Sequence, residues 1–307
     1  MTISEDEQAE TVLRRIGYYR LSGYWHPFRE RDNTGKTQET FRAGTQLAHA
    51  VDLYVFDKRL RLLMLDAIER VEIGLRVDIA LLLGEVDTWA HRDINNFNSY
   101  FKSVDPGTSN VRHMDWLSNL DRLSDRSREE FLKHFREKYT GPLPIWIAVE
   151  LWDFGTLSTI VNGLHDTHVQ RLADKYQLQR RNMLVSWLRC INFVRNVCAH
   201  HSRLWNRPLI DQPQASHLPP LLQHWQSMPY RNSRMYAAAS ILQYFLKFIN
   251  PTSSWGSRLE MLLGEFPEAP GLTIQSSGFQ NGWEQYQLWN SPSAGLPKTA
   301  TATLNPD

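Results

Sequence analysis

The sequence predicts an all-α, multi-helix bundle, and three observations predict it. Apolar residues recur at helical spacing through most of the chain, no stretch alternates with the period of a strand, and Gly and Pro clusters cut the periodic stretches into helix-sized pieces. A chain of 307 residues that is 42% hydrophobic can bury a substantial core. Typical helix lengths give roughly eight to ten helices. Residues 1–290 are expected to form one helical domain and residues 291–307 a disordered C-terminal tail.

Composition narrows the functional classes. Thirty-four basic residues against thirty-three acidic ones leave no global field to announce a nucleic-acid partner, so any anion site must be local. The only cysteines, Cys190 and Cys198, share one helical pattern and stand roughly 12 Å apart along its axis, too far for a disulfide. Nothing resembles a zinc site, and the reading calls for neither metal nor cofactor. There is no leader pattern and no run of about 18 apolar residues, which points to a reducing, cytoplasmic setting without membrane contact.

In chain order, Ser4 to Glu7 reads as a capping box opening a helix to about residue 16. Residues 17–28, with Tyr18, Tyr19, Tyr24, Trp25 and Phe28, are expected to be a helix end and turn clamped into the core by their rings. Residues 30–40 read as a surface loop. From 45 to 83 the period is helical, with a bend expected near Asp57. Leu60, Met64, Ala67, Val71, Leu75 and Leu82 form one stripe, and Leu62, Leu65, Ile73 and Val77 occupy the other side. That helix should therefore be buried on most of its circumference, and its charges need partners or a function. Glu69, Glu72 and Arg76 lie at i, i+3 and i+7; they are either a self-paired row or the lining of a polar site.

Residues 84–112 are a connecting region with a turn at Asp105-Pro106-Gly107. Ser124 or Asp125 is expected to cap a helix running to about 139. The apolar segment 145–157 contains Glu150, which is either hydrogen-bonded core or a site residue. Short helices follow over 156–164 and 166–176, then a longer one over about 179–200. Its apolar stripe is Leu184, Trp187, Leu188, Ile191, Val194 and Cys198; opposite runs a polar row of Arg189, Asn192, Asn196 and His200, with Arg195 at the edge. Helices over 233–249 and 254–264 and an aromatic island at 278–289 complete the body.

The stretch from Arg195 to Arg207 concentrates the chemistry. RNA carries its own nucleophile, the 2′-OH beside each phosphate, so cleavage without metal needs a base, an acid and positive charge for the phosphorane. Arg195 offers a planar fork of donors suited to phosphate, and His200 a group suited to proton transfer near neutral pH. Asn196 and His200 share a face at i,i+4. Arg203 and Arg207 with Trp205 add a basic patch and a ring on which phosphate and a base could sit. The plain alternative is a helix C-cap with a surface salt bridge. Arg20 and His26 repeat an Arg-x5-His spacing, but Gly23 and Pro27 break that segment, so it reads as structural.

At these residues the sequence resembles the Abi-like family of abortive-infection proteins, phage-defence proteins placed within the HEPN superfamily. Ile16 to Trp25 is similar to the family's N-terminal signature, and Leu53 to Asp57 with Leu60-Arg61 to its next block. Ala67 to Ile73 with Arg76, then Pro144 to Gly155, resemble the following two. Arg195-Asn196 to His200 and Arg203 to Arg207 resemble the most specific motif, and Gly278 to Trp289 the closing segment. The resemblance implies a HEPN-like helical core with additional C-terminal helices and a metal-independent endoribonuclease acting on cellular or phage RNA. By that analogy Arg195 binds the scissile phosphate, His200 is acid or base, and Asn196 supports them. His201, Glu69, Glu72, Arg76 and Glu150 become supporting candidates, and Arg203, Trp205 and Arg207 candidates for RNA binding. It further implies a homodimer with facing motifs and an antitoxin or phage trigger as partner. The alternatives are a non-catalytic HEPN module that binds RNA or a protein, or one member of a toxin–antitoxin pair.

Overall fold

The computed structural model describes residues 1–2, 6–229 and 232–290. In chain order come α1 (Asp6–Ile16), α2 (Tyr18–Trp25), a hairpin of β1 (Arg29–Arg31) and β2 (Thr37–Phe41), and the long α3 (Leu47–Gly84). Then follow α4 (Ser99–Lys102), α5 (Arg112–Arg126), α6 (Glu130–Lys138), α7 (Ile145–Ala148), α8 (Phe154–Gly163) and α9 (Asp166–Lys175). The chain continues through α10 (Arg181–Ala199), α11 (Met235–Ile249), α12 (Trp255–Gly264) and α13 (Gln287–Asn290). The architecture is all-α, with one small antiparallel sheet among the described residues.

The organising element is α3, 38 residues without a break and so about 57 Å long. Its core stripe of Leu53, Leu60, Met64, Val71, Leu75 and Ile79 is fully buried, and α2, α7, α10, α11 and α12 pack around it. The expected bend at Asp57 does not occur, because the carboxylate is held by an arginine one turn on and by donors from other elements rather than by its own backbone. Burial over most of the circumference does not occur either. Leu62, Ile73, Val77 and Leu81 are each at least half exposed, since no element among the described residues covers that side.

Further differences have local causes. The segment at 17–28 is not a turn: Gly17, at φ 86°, is the single residue between α1 and α2, and Leu21, Tyr24 and Trp25 go inward. Residues 29–41 pair as strands, with Arg29 opposite Phe41 and Arg31 opposite Thr37. Asp32 closes their turn by accepting from the Thr34 and Lys36 amides. Ser124 is no cap. It sits in the last turn of α5, where its carbonyl and hydroxyl accept from Arg136 of α6, so two helices fold back where one was expected. The Ser4 capping box and the 291–307 tail lie outside the described residues. The aromatic island docks: Phe279, Trp283 and Leu288 are buried, and Trp289 Nε1 donates to Tyr236 Oη at 3.2 Å.

Candidate functional site

Helix α10 buries Leu184, Trp187, Leu188, Ile191, Val194 and Cys198, the stripe its spacing predicts. The two cysteines are buried free thiols. At its end the His200 amide donates to Asn196 O (3.0 Å), the His201 amide to Cys198 O (3.1 Å) and the Ser202 amide to Val197 O (3.0 Å). That is a Schellman closure, with His201 in the left-handed position at φ 56°. Glycine usually occupies it; a residue with a Cβ costs roughly 1–2 kcal/mol there. Tertiary bonds hold it in place, the nearest from Arg20, whose Nη1 donates to His201 O at 2.8 Å. The ends of the motif are thereby fixed while the His200 and His201 side chains stand exposed.

Beneath the following loop lies a buried polar cluster. Asp57 is 0% and Arg61 5% exposed, an ion pair one turn apart on α3. Asp57 also accepts from the Tyr24 hydroxyl (2.7 Å), the Leu204 amide (3.1 Å) and the Trp205 amide (2.6 Å). Burial pushes this carboxyl up, and the Trp205 amide, Tyr24, Arg61 and the Leu204 amide pull it back. Every partner donates, so the carboxylate oxygens are the acceptors on which the loop is hung. Arg203 adds a bond from its Nη1 to Gly23 O of α2. Three separate sequence blocks, around Tyr24, Asp57 and Arg203, thus converge to position the end of α10.

On the other side of the motif, Arg195 lines an open groove of about 540 Å³ against the outer face of α3, with Glu69, Glu72, Arg76 and Leu62. Arg195 Nη1 donates to Asn196 Oδ1 at 3.2 Å. Arg76 Nη2 donates to Glu72 Oε1 (2.6 Å) and to Trp152 O (2.7 Å), and its Nη1 lies 3.6 Å from Glu150 Oε2. Burial pushes the Glu72 carboxyl up against the pull of Arg76 and Arg195, and Asp153 adds to the rise. The groove therefore holds one guanidinium tied to the scaffold, Arg76, and a second, Arg195, bonded to its neighbour's amide oxygen. Among the described residues, no group of three or more His, Cys, Asp or Glu is placed to hold a metal ion.

The structure brings Arg195, Asn196, Glu69, Glu72 and Arg76 together, with Glu150 reached through Arg76. His200 stands one helical turn beyond Asn196. The downstream patch is otherwise. Trp205 is 1% exposed and packs against Phe266, so its ring is core and offers no face to a base. Arg203 is spent on Gly23, and Arg207 lies over the Phe193 ring at 5.9 Å. Sequence reasoning read these as a surface because Arg and Trp at short spacing look the same whether they hold a ligand or a loop. What it missed was Asp57 and Tyr24; the signal was a lone Asp in an apolar helical stripe with an Arg at i+4.

A helical bundle with a polar groove at the end of a buried helix defines the class. Residues 11–206 match the Abi-like protein family, and the chain belongs to it. Membership connects the chain with abortive infection, a defence against phage. The matched span includes α2, α3, α10 and the motif through Asn206. No curated protein and no solved structure matches the chain. Among the described residues no helix is long and apolar enough to cross a membrane.

Proposed function

We propose that the chain is a HEPN-type, metal-independent endoribonuclease that acts in phage defence by cutting cellular or phage RNA. The observation that carries this reading is the pairing of Arg195 and Asn196 at the groove with an exposed His200 at a tertiary-locked helix end. Arg195 binds the scissile phosphate and takes up the charge of the phosphorane. His200 moves a proton to or from the sugar hydroxyl or leaving oxygen, and Asn196 positions the guanidinium. Glu69, Glu72, Arg76 and Glu150 shape the groove, with Arg76 tying α3 to the segment at 150–152.

Arg195 and His200 are five residues apart on one helix, about 140° round its axis. A single copy presents them on different sides. The uncovered stripe of Leu62, Ile73, Val77 and Leu81 beside the groove suits a second copy of the chain, which would set the two motifs opposite each other. The same stripe also suits an antitoxin, which keeps the non-catalytic and toxin–antitoxin readings as the alternative.

The test is cleavage of single-stranded RNA by the purified full chain in EDTA, with the product ends analysed. The expected products end in a 2′,3′-cyclic phosphate, and Arg195→Ala or His200→Ala lowers the rate by about 10²–10⁴-fold without changing the fold. Unchanged cleavage by the double variant, or a strict need for Mg²⁺, defeats the proposal.

A further inference from the structure

Two tyrosines beside the motif have no structural use that accounts for their exposure. Tyr19 is 90% and Tyr18 59% exposed, at the start of α2. Their hydroxyls make no hydrogen bond among the described residues, and their rings meet each other edge to face at 5.5 Å. Tyr18 also leans its edge on Trp25 at 5.3 Å, which fixes the pair's orientation without burying it. Water-facing rings cost solvation that the same helix avoids at Leu21, Tyr24 and Trp25.

Their location follows from the bonds already described. Arg20, the next residue, holds His201 O, and Gly23, which shares the Tyr19 face at i+4, holds Arg203. The tyrosines therefore stand on the helix that is bonded to the chain directly after His200. Positive charge lies nearby on the chain: Arg20 is exposed, and burial, with the positive field of Arg203, Arg29 and Arg31, lowers the affinity of His26 for a proton, so the arginines carry the local charge. Exposed rings among fixed cations are what a single strand needs, since bases stack on aromatic faces and the backbone follows positive charge.

We infer that Tyr18 and Tyr19 form a stacking platform for single-stranded RNA, guided by Arg20, Arg29 and Arg31 and delivering the strand to His200. This rests on the ribonuclease reading but names a surface that the reading does not need. It also puts the base-holding function on α2 instead of on the buried Trp205.

The probe is a fluorescein-labelled, single-stranded 2′-O-methyl RNA, which lacks the nucleophile and cannot be cut, titrated into the purified full chain by anisotropy. Tyr18→Ala/Tyr19→Ala should weaken binding by roughly 10- to 100-fold with an unchanged melting curve. Tyr18→Phe/Tyr19→Phe should recover the affinity, because stacking uses the ring and not the hydroxyl. Wild-type affinity in the alanine variant, while Arg195→Ala weakens binding, overturns the platform and leaves the ribonuclease reading standing. An alanine variant that binds RNA normally but no longer protects cells from phage assigns the surface to a protein partner and equally overturns it. No binding by the wild-type chain defeats the ribonuclease reading and the platform together.

Discussion

Helix α3 carries three acid–arginine pairs at the same spacing, and two of them, Asp57–Arg61 and Glu72–Arg76, serve different ends. The first has side chains 0% and 6% exposed and is saturated with donors from α2 and from the loop after α10; the second is 17% and 20% exposed and borders the groove. Identical i,i+4 geometry thus gives a structural anchor at one end of the helix and a groove wall at the other. The difference lies in what packs against each. Asp57 faces backbone amides that have no other acceptor, while Glu72 faces a second guanidinium, Arg195, and a neighbouring carboxylate, Asp153.

The comparison is broken most severely at Asp57. Asp57→Ala leaves Arg61 buried without its counter-charge and frees two amides, so unfolding by denaturant should show a loss of about 3–5 kcal/mol. The Leu204–Trp205 loop should lose hydrogen-exchange protection first. Little change in either measurement would mean that the anchor is elsewhere.

A buried titratable group without partners sharpens the contrast from the opposite side. His91 is fully buried, neither ring nitrogen has a hydrogen-bond partner among the described residues, and burial lowers its pKa to about 4. A depressed histidine means that the unfolded chain binds the extra proton. The stability is therefore full above about pH 6.5 and is lost as pH falls through that value toward 4, by up to about 3 kcal/mol. Denaturation at pH 7 and pH 4.5 should show that loss, and His91→Gln should remove its share while leaving that of His224, whose pKa burial also lowers to about 4.

The smallest effect is expected at the groove. Arg76→Ala removes two bonds to Trp152 O and the partly screened pair with Glu72, and should cost about 1–2 kcal/mol in the same denaturant assay. A cost as large as that of Asp57→Ala would erase the distinction between anchor and groove wall.

Much of the α-helical architecture was legible because the period of apolar residues is local. The stripes of α3 and α10 came out as their spacing dictates. So did the polar row ending at His200. The aromatic segment at 17–28 was legible only as something special: whether Tyr19 or Tyr24 turns inward depends on the helical phase, and Gly17 sets that phase through a backbone angle no pattern reveals. The hairpin at 29–41 was missed for a related reason. Its strands are short and polar and are defined by pairing with each other, not by a hydrophobic face.

The sequence by itself determined the helical class, the family and the residues offered for chemistry, Arg195, Asn196 and His200, since these depend on residue type and near spacing. Only the tertiary structure decided which arginines are free to act. Arg203 meets a carbonyl 180 residues away and Asp57 an amide 148 residues away, and contacts at that separation depend on how helices pack. For the same reason the ring exposed beside the motif is Tyr19, while Trp205 is core.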